Sequence, residues 1–120
     1  MNALYVGRIG SEVPESGTVR VLVDRLWPRG VRKEEAPWDR WLKELAPSSD
    51  LRKWYAHDPA RNREFRLRYR AELSEGGFSS AMQELITLWQ SYPVQLVTAT
   101  RDLTLSHVPE LKEFVRESYG

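Results

Sequence analysis

Apolar and polar positions recur along this chain with two different periods, and the change from one to the other outlines its elements. From Ala3 to Ile9, Leu4, Val6 and Ile9 stand among more polar neighbours, which predicts a first strand. Gly10-Ser-Glu-Val-Pro-Glu-Ser-Gly17 has no period and collects glycine, serine and proline, the composition of a loop. Thr18 to Asp24 carries Val19, Val21, Leu22 and Val23 almost without a break, as in a strand covered on both faces and central in its sheet.

Beyond the charged link Val31–Ala36 the spacing becomes helical. Pro37 suits a first helical turn, and Trp38, Trp41, Leu42 and Leu45 follow at i, i+3, i+4 and i+7, predicting a helix that Pro47 stops. Ser48 or Ser49 then caps a short helix with Leu51, Trp54 and Tyr55 on one stripe, and His57 reads as a cap at its C-terminal end. Asp58-Pro59 marks a boundary, because a residue before proline is pushed out of the α region. Arg61 to Ser74 predicts a third helix with Phe65, Tyr69 and Leu73 four apart, and Leu67, off that stripe, predicts a second contact face. Gly76-Gly77 ends it, and Ser79 opens a fourth helix with Met82, Leu85, Ile86 and Trp89 on one face, closing near Tyr92-Pro93. Val94 to Thr100 reads as a third strand and Pro109 to Ser118 as a last helix carrying Leu111, Phe114 and Val115.

The expected order is therefore β-β-α-α-α-α-β-α. It describes a single α/β domain over residues 1–120, a small mainly parallel sheet of about three to four strands with helices packed on it. If the second and third strands are parallel neighbours, both end on one sheet edge, where ligands of open α/β sheets bind.

Composition narrows the chemistry. The 18 lysines and arginines nearly balance 17 carboxylates, and a net charge of +1 does not suit a general polyanion binder. Cysteine is absent, which removes disulfides, thiolate catalysis and thiolate metal sites. No stretch approaches the ~20 apolar residues that span a bilayer, and the N-terminus does not read as a signal peptide, so a cytoplasmic location without membrane contact is expected. No Gly-x-Ser-x-Gly elbow, dinucleotide fingerprint or Walker loop occurs, and no cofactor is expected.

What remains concentrates in Arg20-Val-Leu-Val-Asp-Arg-Leu-Trp-Pro-Arg-Gly30, where a strand delivers two charges, an indole and a stiff turn within a few residues. Asp24 and Arg25 form either an internal ion pair that fixes the turn or part of a site, with Asp24 as an acid/base group. Arg29, between Pro28 and Gly30, reads as a guanidinium pinned for an anion, and Trp27 as a core anchor or a stacking platform. Arg101 and Asp102 repeat the arginine–aspartate chemistry after the third strand, with His107 just before the last helix. The expected site thus has Asp24, Asp102 and His107 as proton-transfer groups and Arg25, Trp27, Arg29 and Arg101 as ligand-binding groups. Two carboxylates among arginines could also hold Mg²⁺, but no spacing signals a metal and none is assigned.

Val21-Leu-Val-Asp-Arg-Leu-Trp-Pro-Arg-Gly30, Leu51-Arg-Lys-Trp-Tyr55 with His57-Asp58-Pro59, and Phe65-Arg-Leu-Arg-Tyr69 followed by Leu73 together resemble the YeaO-like bacterial family, domain of unknown function 488. The likeness runs through nearly the whole chain. Family members end the last strand in a Leu-Leu-Tyr-Ala-Ala-Arg-Asp-like run followed by an Asn-His-Ala-like triplet. Here Leu96-Val-Thr-Ala-Thr-Arg-Asp102 and Ser106-His-Val108 stand in their place, so Thr98 replaces the tyrosine and Ser106 the asparagine. The resemblance implies a small cytoplasmic bacterial α/β protein and supplies no reaction. The function expected from the residues is binding, with or without turnover, of a phosphate- or carboxylate-bearing small molecule at the strand ends. The alternative is a nucleic-acid or protein-interaction module using the stretch 52–70, where seven cations face two carboxylates.

Overall fold

The computed structural model describes residues 2–120. Four strands, β1 (Leu4–Arg8), β2 (Val19–Leu22), β3 (Arg40–Trp41) and β4 (Val94–Thr98), form one sheet in the order β1-β4-β2-β3. Every pairing is parallel. Four helices, α1 (Ser49–Tyr55), α2 (Asn62–Glu75), α3 (Ser80–Ser91) and α4 (Val108–Tyr119), pack on it. Short 3₁₀ turns at Lys33–Glu35, Lys43–Leu45, Pro59–Arg61 and Leu103–Leu105 link these elements. The expected α/β architecture with a small parallel sheet is the one observed.

The apolar run of β2 lies at the centre as expected. Val21, Leu22 and Val23 are wholly buried, and every residue of β4, which pairs with β2 from Val19↔Val94 to Leu22↔Val97, is buried as well. Hydrophobic burial on both faces of these strands is the main driving force for the fold. Phe65, Tyr69 and Leu73 of α2 and Met82, Leu85, Ile86 and Trp89 of α3 are buried at their helical spacings. Leu67, expected to open a second contact face on α2, instead stands in solvent at 62% exposure.

The helix expected over Pro37–Leu45 does not form, so the order becomes β-β-β-α-α-α-β-α. Arg40–Trp41 is a short edge strand on β2, and Lys43–Leu45 a single 3₁₀ turn. The reason is long-range hydrogen bonding. Asp39 N–H donates to Arg20 O at 2.8 Å, Leu42 N–H to Leu22 O at 2.9 Å, and the Asp39 carboxylate accepts the Arg20 N–H at 2.8 Å. The Trp41 indole donates to the Asp24 carbonyl, and Trp27 meets both Trp38 and Trp41 edge-on. A nine-residue helix is marginal by itself, and the unpaired edge of β2 outcompetes it.

Arg20 is the least expected core residue. Only 6% exposed, its guanidinium donates to Gln95 Oε1, to the carbonyls of Ile9, Pro37 and Arg8, and more distantly to Ser11 Oγ. One side chain thereby ties β2 to β4, to the loop after β1 and to the approach of β3. Gly7 permits it: a Cβ there would lie 2.4 Å from Gln95 Nε2 and displace the amide that orients the guanidinium. Burial lowers the Arg20 pKa and nearby Asp39 opposes that shift, but a guanidinium stays charged. Arg20→Ala would strand several buried carbonyls at once, so it is expected to cost on the order of 3 kcal/mol, read as a lower urea midpoint at unchanged slope.

Candidate functional site

Parallel pairing of β2 with β4 brings their carboxyl ends to one edge, and a crevice of about 330 Å³ opens there. Its polar groups are Asp24, Arg25, Arg52, His57, Thr100 and His107; Leu26, Trp27, Pro28, Pro47, Tyr55 and Phe65 supply most of the apolar wall. The site therefore draws on the end of β2, the turn before α1, the end of α1, the start of α2 and the chain after β4.

Asp24 leaves β2 half-buried and fastens the two strand ends together. Its Oδ1 accepts the Thr98 hydroxyl at 2.6 Å and its Oδ2 the Ala99 N–H at 2.8 Å. Thr98, which stands where the family pattern has tyrosine, thus provides one of the two bonds. The Asp24–Arg25 ion pair, one of the two readings open for these residues, does not form. Arg25 instead donates from Nε to the Pro47 carbonyl at 3.1 Å and from Nη2 to the Ala46 carbonyl at 3.2 Å. Those two carbonyls fix the guanidinium while leaving its net charge unopposed.

Trp27 joins the wall, with its indole N–H donating to Val31 O at 2.7 Å across the Pro28–Gly30 turn. Gly30 holds φ +81° in that turn, a conformation open to glycine without strain. Arg29 at its tip is exposed, and its guanidinium has no hydrogen bond among the described residues. The turn pins the backbone and not the side chain, so the reading of Arg29 as a pinned ligand group is corrected. It does not line the crevice.

The second arginine–aspartate pair is displaced as well. Strand β4 ends at Thr98, earlier than expected, and Arg101 and Asp102 lie on the exposed chain beyond the crevice. Asp102 caps the Leu103–Leu105 turn, accepting from Thr104 N–H at 3.0 Å and from its hydroxyl at 2.7 Å. Those bonds, the hydroxyl first, hold its carboxyl below the usual aspartate range. The two pairs do not converge. Ser106, in the place of the family's asparagine, closes the same turn, donating to Leu103 O and accepting from Val108 N–H.

His107 does reach the site. It is 8% exposed and meets the Tyr69 ring edge-on, and its Nε2 lies 2.8 Å from the Val23 carbonyl and 3.9 Å from Asp24 Oδ1. A carbonyl only accepts, so Nε2 carries the hydrogen. Burial lowers the His107 pKa; the Asp24 charge and the Val23 bond oppose this, and His57 adds to it.

Arg52 and His57, both basic side chains of the crevice, were not among the expected site groups. Arg52 was read only as part of a basic stretch, yet it lines the crevice and has no carboxylate partner among the described residues. His57 was read as a helix cap, but Ala56 is the cap, and both hold left-handed backbone at φ 45° and 54°. Non-glycine residues there cost about 1 kcal/mol or more each, and such strain gathers at functional sites. The strained pair aims His57 at the crevice, edge-on to Tyr55. The block Tyr55-Ala-His-Asp-Pro59 was visible in the sequence, but no periodicity reveals two successive left-handed residues.

Of the six other cations of stretch 52–70, three are ion-paired. Arg70 binds Glu110 and Glu117, Arg61 pairs with Asp58, and Arg68 pairs with Glu64. Arg61 and Arg68 also lie over the Trp54 ring, at 5.2 and 4.4 Å from its centre. Among the described residues no group of three or more His, Asp or Glu side chains is placed to hold a metal, and no helix is long and apolar enough to cross a membrane.

A family model described as the inactive DUF488-N3 subclade matches residues 3–120. The chain is 41% identical over 110 residues to the uncharacterised protein Rv3073c of Mycobacterium tuberculosis, covering 92% of this chain and 91% of that one. An uncharacterised protein of Mycobacterium bovis matches at the same level. The uncharacterised protein YeaO of Escherichia coli is 32% identical over 109 residues, 91% of this chain and 93% of its own. No solved structure gives a significant match.

A buried neutral histidine makes stability depend on pH. Because the folded pKa is lowered, the unfolded chain binds the proton first, and stability falls as pH drops below the ordinary value of 6.5, levelling off below the folded pKa. Urea midpoints between pH 8 and 5 are expected to show this loss, at no more than about 1.4 kcal/mol per pH unit, and His107→Gln to flatten it.

Proposed function

The chain belongs to the DUF488-N3 family in its inactive subclade, and from that premise we propose that it binds a small phosphate- or carboxylate-bearing molecule in this crevice without turning it over. The observation that carries this reading is the pair Arg25 and Arg52. Two guanidiniums line one largely apolar crevice, and neither has a carboxylate partner among the described residues. An anion would complete them, and apolar walls strengthen the attraction by lowering the local dielectric. The volume, about 330 Å³, is within the range of small-molecule pockets.

Binding without turnover is supported by what the expected proton-transfer groups already do. Both Asp24 oxygens accept bonds that join β2 to β4, Nε2 of His107 is bound to a backbone carbonyl, and Asp102 caps a distant turn. The description of the subclade as inactive agrees with this. The basic stretch 52–70 supports a nucleic-acid surface less well, since three of its arginines are ion-paired. The family's bacterial relatives and the lack of a long apolar helix among the described residues suit a cytoplasmic protein.

Thermal shift and calorimetry with inorganic phosphate, phenyl phosphate and benzoate test the reading. A ligand held at 100 times Kd is expected to raise stability by ~2.7 kcal/mol. Arg52→Gln, on an exposed side chain that folding does not need, is expected to weaken binding about tenfold or more, whereas Arg29→Gln and Arg101→Gln leave it unchanged. No shift with any of these anions, or equal binding by Arg52→Gln, rejects the proposal.

A further inference from the structure

The basic groups of the crevice define the charge of its ligand. They follow helix α1. Arg25 docks through Nε and Nη2 on the carbonyls of Pro47 and Ala46, just before the Ser48 cap of that helix. Arg52 and Tyr55, three apart on α1, share one of its faces, and both line the crevice. His57 follows the left-handed end of the helix and lines the crevice as well.

Each of the three can still donate. A guanidinium carries five N–H groups, and Arg25 commits one on Nε and one on Nη2, which leaves Nη1 without a partner among the described residues. Arg52 and His57 are exposed, and neither has a carboxylate partner there. Asp58, next to His57, is engaged elsewhere: its carboxylate accepts the Ala60 N–H and pairs with Arg61. The Thr104 hydroxyl first and His57 last hold the Asp102 carboxyl low, and burial first and His57 last lower His107. The imidazole charge of His57 therefore reaches both the crevice and the exposed turn beyond it.

Asp24 is the one carboxylate lining the crevice, and both its oxygens accept bonds from the end of β4. Burial keeps His107 neutral. Three basic side chains against one carboxylate leave two positive charges once His57 takes a proton, which an imidazole does near neutral pH. A ligand with two negative charges cancels them. Leu26, 62% exposed, adds open apolar surface to the same wall.

Resting on the anion-binding reading above, we propose that the ligand is a phosphomonoester bound as its dianion, with His57 the residue that selects for the second charge. Arg25 and Arg52 take the first charge, as they would that of a carboxylate. Protonated His57 takes the second, and the organic part of the ester lies against Leu26. A carboxylate or a sulfate ester has one charge and gains nothing from the third basic group, so the crevice discriminates by charge complementarity.

Calorimetry at about pH 7.5, where a phosphomonoester is mostly dianionic, tests this with phenyl phosphate, phenyl sulfate, benzoate and inorganic phosphate. Phenyl sulfate keeps the ring and tetrahedral head of phenyl phosphate and lacks the second charge, so the pair separates charge from shape. On the wild-type chain phenyl phosphate is expected to bind about tenfold tighter than phenyl sulfate or benzoate, and tighter than inorganic phosphate. His57→Asn places a side chain that tolerates left-handed backbone, and is expected to cut the phosphate-to-sulfate ratio to about threefold or less. Phenyl sulfate or inorganic phosphate binding as tightly as phenyl phosphate overturns the proposal while anion binding stands. So does a preference undiminished in His57→Asn. If none of these anions binds, the anion reading fails and this proposal with it.

Discussion

The parallel pairing of β2 with β4 is the constraint from which the rest of the molecule follows. These strands are far apart in sequence, and their register, Val19↔Val94 through Leu22↔Val97, is set by apolar side chains on both faces of each strand. A slip by one residue would exchange the faces of every side chain and bury the wrong set. With the register set, Val23 N–H reaches Val97 O, and Asp24 comes level with Thr98 and Ala99. The crevice exists because two strand ends stop together there and the chain diverges from both.

Arg20 and Asp24, four residues apart on the same strand segment, stabilise that pairing in different ways. Arg20 is a buried cation answered by carbonyls and an amide, so the charge is solvated by the protein itself. Asp24 is only half-buried and binds the partner strand by one hydroxyl and one N–H. The conspicuous block Asp24–Gly30 is consequently both a clasp and a wall. Asp24, Trp27 and Gly30 hold the backbone in place, and Arg25, held by two carbonyls, retains a charge that the protein does not neutralise.

Of the residues expected at the site, Asp24, Arg25, Trp27 and His107 line one crevice, whereas Arg29, Arg101 and Asp102 lie outside it. The difference is one of reach. Asp24 and Arg25 follow directly from a strand whose direction its own apolar run reveals, so their place at the sheet edge was legible. Arg101 and Asp102 depended on where β4 stops, and a run of Val, Thr and Ala does not mark that point. Arg52 and His57 enter through a turn of helix and a left-handed kink, whose direction is set by what they dock against.

By itself the sequence determined the α/β class, the two central strands, the main buried stripes of α2, α3 and α4, and the family, because these rest on burial patterns and local motifs that survive without tertiary context. Only the tertiary structure decided the fate of residues 37–45. There a helical spacing of Trp38, Trp41, Leu42 and Leu45 gave way to an edge strand, since the hydrogen bonds offered by β2 exceed what so short a helix makes for itself. It also decided that Arg20 is buried and that one of two similar arginine–aspartate pairs belongs to the crevice. Each of these outcomes depends on partners more than ten residues away, where no local period carries information.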